Sequence, residues 1–298
     1  MFDITGKRMW FYLISAVIVI GGIISLATLG LKPGIEFSSG SELTGGFERE
    51  VSRVELREEL DSLGYTNAII RQTEEDSYLI RTEKLSPEEK TALVTSLNER
   101  FGGFNEQGFY HVGETVAQET ANNAAIAVAV AAIGVLLYVT WAFRRMPHPF
   151  HYGTCAIAAL AHDILIVLGV FSIIGSLLQW EINLMFITGV LAVIGYSVNN
   201  TVVIFDRIRE NLKKGISPNF EITVNNSLVE TMGRSLNTSL TTLLVVLALL
   251  FFVGASIQNF VTALLIGIIA GTYSSVCIAP LLLVSWEKRG GLKAKSQG

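Results

Sequence analysis

The stretch Gly195–Arg207, GYSVNNTVVIFDR, sets two amides, Asn199 and Asn200, side by side at the end of a long apolar run and closes on the charged residues Asp206 and Arg207. Between Glu181 and Asp206 lie 24 residues without a formal charge. A helix crosses a bilayer with about 20 apolar residues, so this run reads as a membrane span. Its amides then need partners inside the bundle, because hydrocarbon offers none.

The rest of the chain has the same character. Half of its 298 residues are hydrophobic and only 16% are charged, against about 25% in soluble domains. Arg8 and Lys32 bracket 23 uncharged residues, Glu119 and Arg144 bracket 24, and Arg234 and Glu287 bracket 52, room for two crossings with a turn near VGASIQN. Between Tyr152 and Leu178 only His162 and Asp163 interrupt. Six helices are expected, at about 9–31, 122–143, 153–175, 183–206, 234–254 and 260–285. The first is too long for the core of a secretory signal and lacks a small-residue cleavage pattern, so it is expected to remain as an anchor.

Lys and Arg set the orientation. With the N-terminus in the cytoplasm, Lys7, Arg8, Arg144, Arg145, Arg207, Arg209, Lys213, Lys214, Arg234 and Lys288 all fall inside, while the outer turns SIIGSLLQWEIN and VGASIQN carry no basic residue. Both termini are expected in the cytoplasm. The domain plan is an N-terminus and first helix at 1–31, an extracytoplasmic insert at 32–121, helices two to six at 122–286 with a cytoplasmic loop at 207–233, and a basic tail at 287–298. The loop segment PNFEITVNNSLVETMG reads as a plain helical connector or a surface helix, and the tail as disordered.

The insert is net negative and reads as small α+β. TGGFERE is one strand, and AIIRQTEEDSYLIRTE is a hairpin turning at Glu75–Asp76. In SRVELREELDSLG, Val54, Leu56, Leu60 and Leu63 are expected to face inward, with Gly64 ending the helix. In SPEEKTALVTSLNERFGG, Ser86 caps, Pro87 takes the first turn, Glu89 completes a capping box and Gly102 stops the helix. NEQGFYHVG is the last strand. The order β-α-β-β-α-β is that of the ferredoxin-like split βαβ motif. The insert has no Ser-His-Asp arrangement, metal cluster or phosphate loop, and its His111 is solitary, so no catalysis, cofactor or nucleic-acid binding is expected.

Candidate functional residues lie in the spans, where ionisable groups are costly. Asp163 sits about ten residues into the third helix, beside His162. It is either a proton relay or partner to Arg234, or a packing residue bonded to Ser, Thr or backbone of a neighbouring helix. Arg234 is alternatively a simple interfacial anchor. No ligand at i±4 completes a metal site at His162. Ser197, Asn199, Asn200 and Thr201 form an expected polar collar, with Asn199 nearer the side of Ser197 and Thr238, Ser239, Thr241 and Thr242 as partners. Gly267 and Gly271 make a G-x-x-x-G step for close helix packing. Cys155 and Cys277 read as packing residues. Six helices without an internal repeat suggest one half of a transporter.

These motifs together resemble the SecF family of protein-export membrane proteins, in the RND superfamily of proton-driven transporters. GYSVNNTVVIFDRIREN is similar to that family's fourth-helix GYSINDTVVVFDRIREN; LNTSLTTLL, GIIAGTYSS, LAHDILIVLGVFSIIG and LIRTEKLSPEEK also match. The resemblance implies an RND-like six-helix half that pairs with SecD, associates with the SecYEG channel and uses the proton gradient to promote movement of unfolded exported chains. Two stretches depart from the pattern. Glu36 and Ser39 stand in GIEFSSG where the family has Asp and Gly. Asn200 stands where the family has the carboxylate implicated, with an arginine matched by Arg234, in proton passage, and an amide cannot take up and release a proton. A small-molecule efflux half acting as a homo-oligomer is the alternative reading.

Overall fold

The computed structural model describes residues 3–72, 77–252 and 257–296, with side chains as far as Lys288. The elements in chain order are α1 Arg8–Thr28, α2 Ile35–Ser38, β1 Gly40–Gly46, α3 Arg53–Ser62, β2 Ile69–Gln72, β3 Ser77–Thr82, α4 Pro87–Phe101, β4 Asn105–Val112, α5 Glu114–Ala142, α6 Pro149–Leu178, α7 Leu184–Lys214, α8 Phe220–Phe252, α9 Gln258–Cys277 and α10 Ala279–Ser296. Six stretches among the described residues are long and apolar enough to cross a membrane: α1, α5, α6, α7, α8 and Gln258–Lys288, which runs through α9 into α10.

The spans on α6, α7 and α9–α10 are the most buried, while α1, α5 and α8 are largely exposed. Small residues permit the close approaches. A Cβ on Gly169 of α6 would lie 2.6 Å from the Cα of Gly22 on α1. A Cβ on Gly267 of α9 would lie 2.0 Å from Val193 Cγ2 on α7, and one on Gly271 would lie 3.0 Å from the Ser197 Cβ. The last span breaks at Ile278, two residues before Pro280, whose ring nitrogen has no proton to donate back along the helix.

Several boundaries differ from the sequence reading. Of residues 207–233, expected as a loop with a helical segment at 218–233, all but the turn 215–219 are helical, so that α7 runs on past Arg207 to Lys214. Ion pairs Arg207–Glu210 and Lys214–Glu210 support the extension of α7, and Asn211 ties it to α8 by donating to Ser227 at 2.9 Å and Glu230 at 2.8 Å. Gly215, at φ 65°, ends α7 in the left-handed region. On the other side, α5 begins at Glu114 rather than 122. The basic tail, expected disordered, continues α10 as helix to Ser296, since Leu, Ala and Lys all propagate helix well.

Between α1 and α5 a four-stranded sheet of order β2-β3-β1-β4, antiparallel throughout, carries α3 and α4. Leu43, Leu56, Leu60, Ile70, Ile80, Leu93 and Leu97 form its core. Strand β1 lies four residues ahead of the expected TGGFERE, because Phe47 leaves the ladder to pack on Tyr78, Phe101 and Phe104. Val54 and Leu63 are exposed, not inward. Val54 is about 200° round from Leu56 on a helix, and Leu63 is the C-cap, at φ −82° and ψ 0°. Both helices start with complete capping boxes, Ser52 with Glu55 and Ser86 with Glu89. The hairpin turn at Glu75–Asp76, and residues 253–256 of VGASIQN, lie outside the described residues.

The sheet is fastened to the bundle at one end. Pro33 and Ile182 form a parallel bridge, with Gly34 N donating to the Ile182 carbonyl at 2.7 Å and Ile182 N to that of Lys32 at 2.8 Å. At the opposite end the two terminal regions meet on α8. Arg8 and Lys288 both pair with Glu221, and Ile4 N donates to Asn225 Oδ1 at 2.8 Å.

Candidate functional site: a buried carboxylate among three helices

Asp163 is fully buried near the middle of α6. Ser197 of α7 donates to its Oδ2 at 2.6 Å and Ser274 of α9 at 2.8 Å. His162 Nδ1 lies 3.0 Å from Oδ1. The carboxyl group therefore joins the three most buried spans. Bonds from neutral donors to a carboxylate contribute about 1.5–3 kcal/mol each, which offsets part of the cost of burying it.

Glycines create this geometry. Gly267 and Gly271 bring α9 against Val193 and Ser197, and Ser274 lies three residues beyond Gly271 on the same stripe. A bulkier stripe would hold the Ser274 hydroxyl away from Asp163. The imidazole of His162 packs at 6.0 Å between centroids from Tyr273, and its Nε2 is buried with no hydrogen-bond partner among the described residues. Chemically, the Asp163–His162 pair can hold one proton, on the carboxyl oxygen or on the ring, with both states hydrogen-bonded through Nδ1.

A second polar cluster centres on Ser239 of α8. Tyr196 donates its hydroxyl proton to Ser239 Oγ at 2.8 Å, Asn200 Nδ2 donates at 3.4 Å, and the Thr272 hydroxyl of α9, which donates to the Ile268 carbonyl, lies 2.7 Å from the same oxygen. Asn200 is buried and lies three residues from Ser197, so the two clusters adjoin across α7.

Of the residues singled out from sequence, Asp163, His162 and Ser197 come together, and Asn200 joins the neighbouring cluster. The others do not. Arg234 is exposed and is not among the partners of Asp163; it lines a cleft at the end of the bundle with Tyr138, Val203, Asp206 and Thr231. Asn199 is exposed, apart from Ser197, because the buried side of α7 runs Ser197, Asn200, Thr201, Ile204. Thr238, Thr241 and Thr242 return their hydroxyl protons to their own helix, leaving Ser239 as the partner of Asn200. Asp206 pairs with Arg209, and Arg207 with Glu210 and Glu230. Tyr196 shares the helical stripe of Asn200, whereas nothing in the sequence reading points to Ser274 or Thr272. The spacing Gly267, Gly271, Ser274 was the available signal for Ser274, since a small-residue stripe that reaches a hydroxyl offers a donor to whatever the stripe approaches.

A protein family described as protein export membrane protein SecD/SecF, C-terminal, matches residues 93–289. The protein translocase subunit SecF of Thermobaculum terrenum is 43% identical over 98% of this chain and 96% of its own length; that of Anaerolinea thermophila is 39% identical over 96% and 94%. The crystal structure of SecDF from Thermus thermophilus, a translocon-associated membrane protein, superposes with TM-score 0.85 at 31% identity. That match covers 96% of this chain and 39% of the SecDF chain, so this chain spans about two fifths of the solved protein.

Proposed function

The chain belongs to the SecF family of protein translocase subunits and serves protein export, and from that premise we propose that it is the six-helix half that pairs with a SecD subunit beside the SecYEG channel, using the proton gradient to promote movement of unfolded chains across the cytoplasmic membrane. Both termini lie in the cytoplasm in this reading, residues 32–121 outside, and the chain catalyses no reaction of its own. The sheet order β2-β3-β1-β4 supports a ferredoxin-like split βαβ for the outer domain.

The observation that carries the mechanism is the Asp163 cluster. A carboxyl group bonded to three helices is a charge-sensitive joint: adding a proton to it changes which hydroxyls it can hold. Asn200 cannot substitute, so in this chain Asp163 with His162 is the proton-holding pair, and Arg234 acts at the cytoplasmic mouth. From Ser274 the helix α9 leads back to Asn259, which donates to the Glu181 carbonyl at 2.8 Å. Glu181 in turn pairs with Arg81 on β3. Protonation that shifts α9 against α7 would reach the outer domain by this route, a two-state packing change biased by charge.

Affinity purification from membranes tests the assignment of partners. Recovery of a SecD-like subunit and the SecYEG channel is expected, and a stable homotrimer alone would contradict it.

A further inference from the structure

At the end of the bundle where the termini meet, a cavity of about 320 Å³ is lined by Ala142, Arg144, Arg145, Arg209 and Lys213. Ala142 ends α5, Arg144 and Arg145 follow it, and Arg209 and Lys213 are one turn apart on α7. We propose that this cavity is a binding site for the phosphodiester head of an anionic phospholipid, with its acyl chains lying on the exposed face of α5.

Three observations converge on that ligand. Three of the four cations make no ion pair among the described residues. Arg8, Arg207, Lys214 and Lys288 at the same end each pair with a glutamate, whereas Arg144, Arg145 and Lys213 make no ion pair among the described residues and Arg209 pairs only with Asp206. Orientation bias alone places basic residues at this end but does not require that four converge on one cavity, three of them without an ion pair among the described residues.

The walls are preorganised. The guanidinium of Arg144 stacks 4.5 Å above the Trp141 ring and that of Arg209 lies 5.6 Å from the Phe143 ring. Such stacking holds the planar forks that bind phosphate bidentately. The volume equals that of about ten waters, room for a glycerophosphate head.

The approach is apolar. Val130, Ile133, Leu137, Tyr138 and Trp141 are more than half exposed along α5, so a lipid whose head fills the cavity has a matching surface for its tails. A basic pocket at the end of membrane helices is a recurrent recognition site for anionic headgroups. A free phosphate would use the cations and leave this apolar surface unused.

The experiment uses the full-length chain with Trp10, Trp180 and Trp286 changed to Phe, in phosphatidylcholine vesicles containing either brominated phosphatidylglycerol or brominated phosphatidylcholine. Trp141 is expected to be quenched by the brominated anionic lipid at several-fold lower mole fraction. Arg145→Ala with Lys213→Ala should abolish that preference, Arg145→Lys with Lys213→Arg should keep it, and Lys214→Ala, outside the cavity, should not change it. Equal quenching by the two lipids would overturn the proposal. So would displacement by millimolar inorganic phosphate, which would make the ligand a free anion, or a loss with Lys214→Ala as large as with the cavity variant, which would reduce the effect to surface charge.

Discussion

Arg81 on β3 donates to Glu181 at 2.8 Å, and the same Nη1 lies 3.0 Å from the Pro33 carbonyl. One buried side chain thus joins the sheet, the chain leaving α1 and the connection between α6 and α7. Arg81 also donates to Ser38. Removing it leaves Glu181 partly buried without its counter-charge, a loss on the order of 3 kcal/mol for such a pair. Arg81→Ala should therefore raise amide hydrogen exchange at residues 32–40 and 179–183 while leaving the sheet core around Leu43 and Leu97 protected. Unchanged exchange at the junction would mean that the bridge between Pro33 and Ile182 suffices to hold it.

Ser39 sits at φ 60° and ψ 170°, a region essentially restricted to glycine and costing a side chain about 1–3 kcal/mol. Ser39→Gly is expected to raise the thermal midpoint, by about 2–4 °C for each kcal/mol of strain relieved. A lower midpoint would show that the Ser39 side chain contributes more than its backbone costs.

Burial lifts the Glu42 carboxyl above its ordinary value of 4.5, and the nearby Glu181 and Glu36 carboxylates lift it further, against the opposing pull of Arg81 and Arg71. The folded state therefore holds this proton more tightly than the unfolded chain. The stabilisation is fully present below about pH 4.5 and is lost as pH rises through the raised value. Glu42→Gln should accordingly raise thermal stability at pH 7–8 and leave it unchanged near pH 4. A gain of equal size at both pH values would place its origin outside this ionisation.

Gly267 meets Val193 so closely that any Cβ must move it. Gly267→Ala should destabilise the bundle by about 1–3 kcal/mol, the usual cost of overpacking, measured as the detergent concentration or temperature of unfolding. Val193→Ala in the same chain should recover most of it. Failure of that second change to rescue would put the constraint on the backbone of α7 instead.

What the sequence revealed follows from how local its signals are. Membrane spans are legible because twenty consecutive residues report one property, and helix starts such as Ser86–Pro87–Glu89 because capping is settled within four. Strand β1 lies four residues ahead of the stretch its composition points to, because pairing depends on β3 and β4, distant in the chain. The amphipathic stripe of α3 was half right for a similar reason: Leu56 and Leu60 obey the helical period, and Leu63 has already left the helix. At the site, charge and rarity pointed to Asp163. Its partners could not be read, since which of many hydroxyls reaches it depends on the distance between helices, set by Gly267 and Gly271. The adjacent amides of Asn199 and Asn200 looked equivalent in sequence, yet a 100° step puts one outside the bundle and the other in its interior.

In the mechanism we propose, Asp163, held by Ser197, Ser274 and His162, carries the proton that drives the helices, while Asn200 does not. The most direct measurement is gradient-dependent export of a secretory chain into inverted membrane vesicles with Asp163→Asn and, separately, Asn200→Asp, each checked for unchanged abundance and partner recovery. Asp163→Asn is predicted to remove the stimulation by the proton gradient, tenfold or more in its contribution, and to leave gradient-independent export intact, whereas Asn200→Asp retains stimulation. Full gradient-dependent stimulation in Asp163→Asn would contradict the account and make Asp163 a packing residue.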